Sequence, residues 1–401
     1  MKVVWLCSFS LNNLRKYTKI HAEISKFHAA TWIDYMIQEI KKRNEIDLHV
    51  ITSSPYIKKE LIISEKNITY HVLKRGVPFV HKGFPDYFRV DSFSKYFFLR
   101  KKLKKKILQI NPDVINSHGT EDVYSIVLND MNYPSIIWMQ TYMEFFGNEN
   151  LWIRIQKKIE KKVFQRQNNF ILNTNIFENL INKINPKAKF YFLSYPVADI
   201  SFEMNENKKD ADICYVGSTV KRKGIEDLID VTKIMVKKFP DLKVKVIGGH
   251  SGKDYMNFLK SKINFYNISK NIEFFGFLPE HKNVLKELKK SKLFMLPTYI
   301  DAGPRVVAES MALKVPVISY NIGGLPWMIG KNERGVIVEK GNINDMAEAA
   351  ISLLEDNSQR EVISNKAYLF ARENFYSENI IDKLLCYYKS VINDFHNFNL
   401  N

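Results

Sequence analysis

Residues 297–326 read PTYIDAGPRVVAESMALKVPVISYNIGGLP, and this stretch decides the fold class of the chain. The apolar run LFMLP (293–297) predicts a buried strand, VPVIS (315–319) predicts the next strand, and VVAESMAL between them has the length of a helix. Asp301 is then expected in the loop at the carboxyl end of the first strand, and Glu309 on the helix. Because open parallel sheets bind ligands at that edge, the stretch predicts a binding site as well as a core.

The same alternation of strand and helix runs along the whole chain. With 401 residues the chain is too long for one hydrophobic core, so we expect an α/β protein with two domains, residues 1–200 and 201–376. The polar segment EMNENKKD, which begins at Glu203, would link them. A last helix is predicted from Ser377 to Phe395. Strands are predicted at 2–9, 47–52, 113–117, 135–140 and 169–174 in the first domain, and at 211–217, 242–249, 271–278, 292–297, 315–320 and 335–339 in the second.

The chain is strongly basic, and the excess charge is uneven. The formal net charge is +17, with 31 Lys and Arg against 18 Asp and Glu in residues 1–200, and 29 against 25 in residues 201–401. The excess in the first half indicates an anionic partner, which could be a membrane surface, a phosphorylated substrate or nucleic acid.

Cysteine usage and hydropathy indicate the compartment. Cys7, Cys214 and Cys386 are far apart in sequence and have neither metal-ligand nor redox spacing, which favours a reducing, cytoplasmic compartment. We expect no signal peptide, because the first apolar run is short and polar NNLRKYTK follows it. The sequence contains no run of about 18 apolar residues, so no transmembrane helix is predicted.

A basic loop opens the second domain in YVGSTVKRKGIEDLI (215–229). The strand is expected to end at Gly217, and a helix to begin near Gly224 or Ile225. Backbone N–H groups at such a helix start bind phosphate, and neighbouring cations reinforce them. The loop would therefore hold a diphosphate with the help of Lys221, Arg222 and Lys223. An ordinary loop with solvated lysines is the alternative.

Three further side chains have two interpretations each. Glu309 suits hydrogen bonding to a vicinal diol such as a ribose, because a carboxylate accepts two bonds at once, but it could also be a solvated helix carboxylate. Asp301 would accept bonds from hydroxyls of a transferred group, or else cap the helix. His118, in NSHGTED, is expected just past a strand end, where it would contact an acceptor or donor sugar; a surface-loop histidine is the alternative.

Taken together, these motifs resemble the retaining glycosyltransferases of family 4. The resemblance lies in the order strand–Gly–basic loop–Lys-Gly, then FFGFL, then P-T-x-x-D-x-G-P-x-x-V-x-E-S-M-A, then G-G-x-P, and it covers most of residues 211–375. The first half matches in strand–helix order. The resemblance implies the GT-B fold, in which two doubly wound Rossmann-like domains face each other across a cleft. Residues 377–401 would then form a helix and tail that return to the first domain.

The resemblance also implies a role for each matching residue. Lys223 would bind the donor diphosphate, Glu309 the ribose and Asp301 the hydroxyls of the donor sugar, which makes these three the candidate catalytic residues. On the acceptor side we expect His118 and Thr141. The other donor-binding candidates are Gly217, Ser218, Arg222, Gly303, Pro304, Arg305, Val306 and Gln140.

The sequence departs from the family pattern at three of these positions. Asp301 stands where the family has Glu, Ser218 where it has a phosphate-binding Arg, and Gln140 where a His contacts the donor. Lys221 or Arg222, in the same loop as Ser218, could replace the missing arginine.

The activity implied is sugar transfer with retention of configuration, from a UDP- or GDP-linked donor to a hydroxyl of a saccharide or lipid-linked acceptor. Neither a metal ion nor a separate cofactor is expected, and the product would be a cell-surface polysaccharide or another glycan. The basic first domain would take the acceptor. FFLRKKLKKKILQI (97–110) predicts an amphipathic helix that could lie on the anionic inner face of the cell membrane; a solvated helix face is the alternative.

Other protein classes explain parts of the sequence. A GT-B epimerase would need acid–base carboxylates or histidines in the cleft, and a phosphorylase would need a lysine-bound pyridoxal phosphate; neither has a recognisable signature. A nucleic-acid-binding protein would interleave basic and aromatic residues on one platform, whereas here the cations cluster on helices, so no nucleic acid partner is expected. A degenerate nucleotide-sugar-binding protein without transferase activity stays open.

Overall fold

The chain folds into two compact units. The computed structural model describes residues 1–9, 14, 31–55, 57–76, 90–146, 151–205, 208–249, 252–301 and 303–400. The first unit comprises Met1–Ser194 together with Ser377–Asn401, and the second comprises Tyr195–Tyr376. The chain therefore first passes from one unit to the other after Ser194, slightly before the expected domain boundary at residue 200.

The first unit contains an eight-stranded sheet with helices between its strands. Its order is β3-β4-β2-β1-β5-β6-β7-β8, and every pair is parallel except β3 with β4. The elements are β1 (Lys2–Leu6), α1 (Trp32–Ile40), β2 (Asp47–Ser54), β3 (Leu61–Glu65), β4 (Ile68–Lys74), α2 (Phe97–Ile110), β5 (Val114–His118), α3 (Val123–Ile126), β6 (Ser135–Trp138), α4 (Leu151–Phe164), β7 (Asn169–Leu172), α5 (Asn175–Asn182) and β8 (Lys189–Phe192).

The central strands of this sheet are covered on both faces. In β1 the residues from Val3 to Leu6 are all buried, as expected for a parallel sheet between helix layers. The five strands predicted in this half are confirmed, with ends that differ by a few residues. The sequence missed β3, β4 and β8, of which β3 and β8 are edge strands with no fully buried residue.

The last helix of the chain belongs to the first unit, as expected for this fold. The second unit ends at Tyr376, and α14 (Ser377–Leu400) packs against the first sheet. The buried hydroxyl of Tyr388 accepts a hydrogen bond from the indole of Trp5 at 2.8 Å and another from the amide of Asn116 at 2.7 Å. These two bonds attach the end of the chain to the middle of the first sheet.

The second unit is a doubly wound α/β domain. All six predicted strands are confirmed, and they form a parallel sheet in the order β11-β10-β9-β12-β13-β14. The elements are α6 (Ile200–Glu203), β9 (Ala211–Val216), α7 (Ile225–Met235), β10 (Val244–Ile247), α8 (Lys253–Phe265), β11 (Ile272–Gly276), α9 (His281–Lys289), β12 (Ser291–Leu296), α10 (Arg305–Ala312), β13 (Val317–Tyr320), α11 (Leu325–Ile329), β14 (Val336–Val338), α12 (Ile343–Glu355) and α13 (Asn357–Phe375).

The order of these strands reverses between β9 and β12. Strands β10 and β11 follow β9 on one side, whereas β13 and β14 follow β12 on the other. Such a reversal leaves a crevice at the carboxyl ends of the two central strands, which is the usual ligand site of open α/β sheets.

In the described part of the chain, no helix combines the length and the hydropathy needed to cross a bilayer.

Candidate functional site

Two loops meet at the strand reversal of the second sheet. The loop after β9 ends at Gly224, and the loop after β12 begins at Pro297. The backbone N–H of Tyr299 donates to the carbonyl of Arg222 at 2.9 Å. A side-chain carbon added to Gly224 would lie 1.7 Å from the carbonyl oxygen of Pro297. Glycine is therefore required here, and it lets the basic loop lie directly against the loop that carries Asp301.

The structure joins two of the predicted catalytic residues directly. The ammonium group of Lys223 lies 2.5 Å from a carboxylate oxygen of Asp301, and both side chains are largely buried. The other carboxylate oxygen of Asp301 accepts a bond from the N–H of Gly303 at 3.4 Å. In this state a carboxylate therefore compensates the charge of Lys223.

Glu309 is the most buried carboxylate of this region. It lies on α10 with 2% of its surface exposed. One of its oxygens, Oε1, lies 3.0 Å from Nε2 of His281 and 3.3 Å from Nε of Arg305. Burial alone would raise the pKa of Glu309, but the His281 hydrogen bond and the positive charge of Arg305 outweigh it, so the pKa lies below its ordinary value. Glu309 is thus held as a carboxylate.

Helix α10 begins where a ligand would approach. Pro304 precedes its first turn, and Arg305 and Val306 present backbone N–H groups at the end that favours an anion. A side-chain carbon added to Gly303 would meet nothing within 4 Å, and its backbone is not in the left-handed region. The protein's own packing therefore does not require glycine at this position, and the space above it is open.

The remaining donor-binding candidates of this unit lie in the loop after β9. The N–H of Gly217 donates to Ile247, and the carbonyl of Ser218 accepts a bond from the hydroxyl of Tyr215 at 2.9 Å. The side chains of Ser218 and Arg222 are exposed. Helix α7 begins at Ile225, as predicted. The loop backbone is thus fixed, and exposed basic side chains remain along it.

His118 does not lie where the sequence placed it. It was expected past the end of a strand, but it is the last residue of β5 and is buried. Its ring lies between Trp5, with ring centres 4.9 Å apart, and Trp138, at 5.7 Å. The prediction missed this because both tryptophans come from neighbouring strands. In the described part of the chain neither ring nitrogen has a hydrogen-bond partner, and burial lowers the pKa of His118 to about 3. Its ring is therefore neutral, and its acceptor-side role stays a prediction.

Gln140 and Thr141 follow β6, which pairs with β5. Both are half-buried in the loop after that strand. The N–H of Gly119 donates to the carbonyl of Trp138 at 2.8 Å, so the loops after β5 and β6 begin side by side. The candidates of the first unit therefore share the carboxyl edge of its sheet.

Comparison with known proteins identifies the chemistry of this architecture. Residues 197–370 match the family described as Glycosyl transferases group 1. The chain is 27% identical to an uncharacterized glycosyltransferase of Haemophilus influenzae, over 72% of this chain and 79% of that protein. It is 30% identical to the capsular polysaccharide biosynthesis glycosyltransferase CapM of Staphylococcus aureus, over 45% of this chain and 47% of CapM. Residues 197–370 are a group 1 glycosyltransferase domain.

Solved structures agree on the fold of this glycosyltransferase. The crystal structure of HepE from Anabaena, in complex with UDP, superposes with a TM-score of 0.70. The alignment covers 97% of this chain and 100% of that one at 13% identity. The expected GT-B fold is confirmed.

The sequence analysis did not identify one residue of the glycosyltransferase site. His281 is the first residue of α9, and its ring contacts Glu309. A signal existed, because FGFLPEH places this histidine at the helix start that follows the third strand of the domain. A single histidine of this kind nevertheless usually has a structural role. Only the packing of α9 against α10 reveals the contact of His281 with Glu309.

The arrangement alternates cations with carboxylates around the strand reversal. Lys223 faces Asp301, and Arg305 faces Glu309, which also contacts the ring of His281. Such groups can exchange partners when a diphosphate and sugar hydroxyls arrive, because each cation can pair with phosphate and each carboxylate can accept from a hydroxyl.

Proposed function

We propose that this glycosyltransferase moves a sugar from a UDP- or GDP-linked donor, with retention and without a metal ion, to a hydroxyl of a saccharide or lipid-linked acceptor. The observation that carries the proposal is the meeting of Lys223 and Asp301 at the strand reversal. The relationship to CapM supports polysaccharide or glycan synthesis as the context. Because all three cysteines are free thiols, we place the reaction in the cytoplasm.

Donor binding would rearrange the charges of the site. Lys223 would exchange Asp301 for the donor diphosphate, together with the backbone N–H groups of Arg305 and Val306. Asp301 would then accept bonds from sugar hydroxyls, and the carboxylate of Glu309 would accept from the ribose. The open space above Gly303 supports close approach of the diphosphate or sugar to the backbone.

The reaction breaks the bond between the anomeric carbon and the diphosphate oxygen, which keeps the electron pair. The acceptor hydroxyl attacks the same face, and its proton moves to the departing phosphate oxygen. Lys223 and the start of α10 would stabilise the developing negative charge, an effect worth about 3 kcal/mol for each donor. Glu309 is paired with Arg305, which weakens it as a nucleophile and supports a mechanism without a covalent enzyme intermediate.

Thermal-shift and transfer assays with UDP-, GDP- and ADP-sugars test the donor site. At least one nucleotide should raise the melting temperature of the wild type, and Lys223→Ala should abolish that shift. Lys292→Ala is a matched control, since Lys292 also pairs with an aspartate, Asp212, but lies at the opposite end of β12. A shift that survives Lys223→Ala would overturn the donor assignment.

An exposed face of α2 supports an acceptor presented at an anionic membrane. Phe97, Lys101, Lys104, Lys105 and Leu108 recur at helical spacing on its solvent side, and Phe98 beside them is 77% exposed. Solvated helix faces rarely present large aromatic side chains, whereas interfacial helices combine them with lysines. The face therefore suits insertion of the aromatic rings among anionic lipid headgroups.

The basic charge continues beside this face. Lys95 and Arg166 depress the pKa of Lys162 on α4, because the three cations lie close together at the surface. Anionic headgroups would relieve this repulsion. Each cation near the surface adds about 1 kcal/mol to membrane binding.

Co-sedimentation with phosphatidylcholine vesicles, with and without phosphatidylglycerol, tests the membrane assignment. The wild type should bind the anionic vesicles at low salt, and Phe98→Ser should bind several-fold less. Phe265→Ser is the matched control, since Phe265 on α8 is 82% exposed. Equal binding to both kinds of vesicle would contradict the assignment.

A further inference from the structure

Glu160 is a buried carboxyl group that no step of the proposed reaction uses. It lies on α4 with 1% of its surface exposed. Its Oε1 atom lies 2.5 Å from the hydroxyl of Thr120, and its Oε2 atom accepts a hydrogen bond from the backbone N–H of Met143 at 3.1 Å. One side chain thus bridges two separate segments of the chain.

The two bridged segments are the loops after β5 and β6. Thr120 follows the end of β5 at His118, and Met143 follows Gln140 and Thr141 after β6. Of the two acceptor-side candidates, Thr141 lies in the loop after β6, and His118 is the last residue of β5, directly before the other loop. A group that fixes the loops relative to each other therefore fixes the shape of that edge of the sheet.

A second side chain of α4 strengthens the bridge. Gln156, one turn before Glu160 and also buried, donates to the carbonyl of Thr120 at 2.8 Å. Its own carbonyl oxygen accepts a bond from the hydroxyl of Tyr96 at 2.7 Å. Helix α4 thus holds Thr120 at two points, so the loop after β5 cannot shift without breaking buried hydrogen bonds, which is costly.

The surroundings of Glu160 favour a neutral carboxyl group. Burial raises its pKa to about 8, against the opposing effect of the bonds from Thr120 and Met143, and the negative charges of Glu121 and Glu144 add to the rise. The ammonium group of Lys157 pairs with Glu144 at 2.7 Å, and Tyr142 also faces this region. A neutral carboxyl group can donate its proton to the Thr120 oxygen while its carbonyl accepts from Met143.

We propose that Glu160 is a positioning residue that joins the loop after β5 to the loop after β6 and so sets the acceptor side of the site. The neutral form makes both bonds without a buried charge. Ionisation places a negative charge beside Glu121 and Glu144, which weakens the bridge. This role rests on the proposed function only through the acceptor; the bridge itself is a property of the fold.

The variants Glu160→Gln and Glu160→Ala test whether the bridge depends on a neutral carboxyl group, because a glutamine side chain resembles the neutral acid. Its carbonyl can accept from Met143 while its amide donates to Thr120. Hydrogen exchange of residues 119–122 and 139–145, corrected for the intrinsic pH dependence, should show equal protection in the wild type and the glutamine variant near pH 7. Above pH 8 the wild type should lose protection, by about tenfold at one unit above the pKa, while the glutamine variant stays protected. The alanine variant should lack protection throughout.

Kinetics give the functional readout. Glu160→Ala should raise KM for the acceptor, and Glu160→Gln should restore the wild-type value with a flat alkaline profile. Glu144→Gln is the matched control: it should leave the bridge intact and move the wild-type midpoint to lower pH. The proposal would be overturned if Glu160→Gln behaved like Glu160→Ala, or if Glu160→Gln lost protection above pH 8 as the wild type does. The exchange experiment needs no substrate, so failure to find a donor cannot be mistaken for failure of the bridge.

Discussion

The ammonium group of Lys223 and the carboxylate of Asp301 form an ion pair across the two loops that meet at the strand reversal. Under the proposed donor binding, Asp301 would compete with the donor diphosphate for the same cation. Replacing it by Asn should release Lys223, and UDP should bind about threefold to tenfold more tightly, since a pair of this exposure is worth about 1 kcal/mol. Transfer should nevertheless fall at least tenfold, because the sugar hydroxyls lose their acceptor. Calorimetry with UDP and a transfer assay measure the two effects, and weaker UDP binding would contradict the competition.

Removing the charge of Glu309 should weaken nucleotide binding. Glu309→Gln keeps the size of the side chain but loses a charge-assisted acceptor for the ribose, so UDP affinity should fall by about tenfold to a hundredfold. Glu348→Gln, on the exposed side of α12, provides the control and should bind UDP normally. If both variants bound UDP equally well, Glu309 would have no ribose contact.

Two glycines of the site should respond to alanine in opposite ways. Gly224 has a left-handed backbone and lies against the carbonyl of Pro297, so Gly224→Ala should lower the free energy of unfolding by at least ~2 kcal/mol. Gly303→Ala should leave that free energy within about 0.5 kcal/mol of the wild type, yet reduce binding of a nucleotide sugar by filling the space above the loop. Urea unfolding and calorimetry distinguish the two, and a large loss of stability in Gly303→Ala would refute this account.

Acid should destabilise the first unit through the pair of His49 and His71. Their ring nitrogens lie 3.0 Å apart on β2 and β4. Burial lowers the pKa of His71 to about 4, with further contributions from His49 and Lys106. Burial also lowers the pKa of His49, despite Asp47 and with a small contribution from Lys2. The unfolded chain therefore takes up protons first, so the stabilisation is complete above about pH 6.5 and is lost as the pH falls towards 4.

Urea midpoints near pH 7 and pH 5 measure this effect. His71→Phe should show a smaller decrease between the two values than the wild type, whereas His396→Phe, at an exposed position on α14, should leave the decrease unchanged. An unaltered decrease in His71→Phe would show that other groups cause the acid sensitivity.

The sequence predicted the strands of the second unit well, because each is an apolar run bounded by Gly, Pro or charged residues. It also indicated that Lys223 and Asp301 follow strands whose carboxyl ends share an edge of the sheet. Their direct pairing could not be predicted, because it depends on the contact between Gly224 and Pro297. The sequence analysis missed the edge strands β3 and β8, since their apolar runs are short and no residue in either strand is fully buried. The contact of His281 with Glu309 and the enclosure of His118 by tryptophans depend on residues distant in sequence, which periodicity cannot reveal.

The attachment of α14 through Tyr388 imposes an order of assembly during synthesis. The second unit is one continuous stretch of chain, so its native topology needs no residue beyond Tyr376. The first unit, although its other segments emerge earlier, leaves the buried Trp5 indole and the Asn116 amide without the Tyr388 hydroxyl until α14 arrives. The unit that emerges first from the ribosome is therefore the last to be completed.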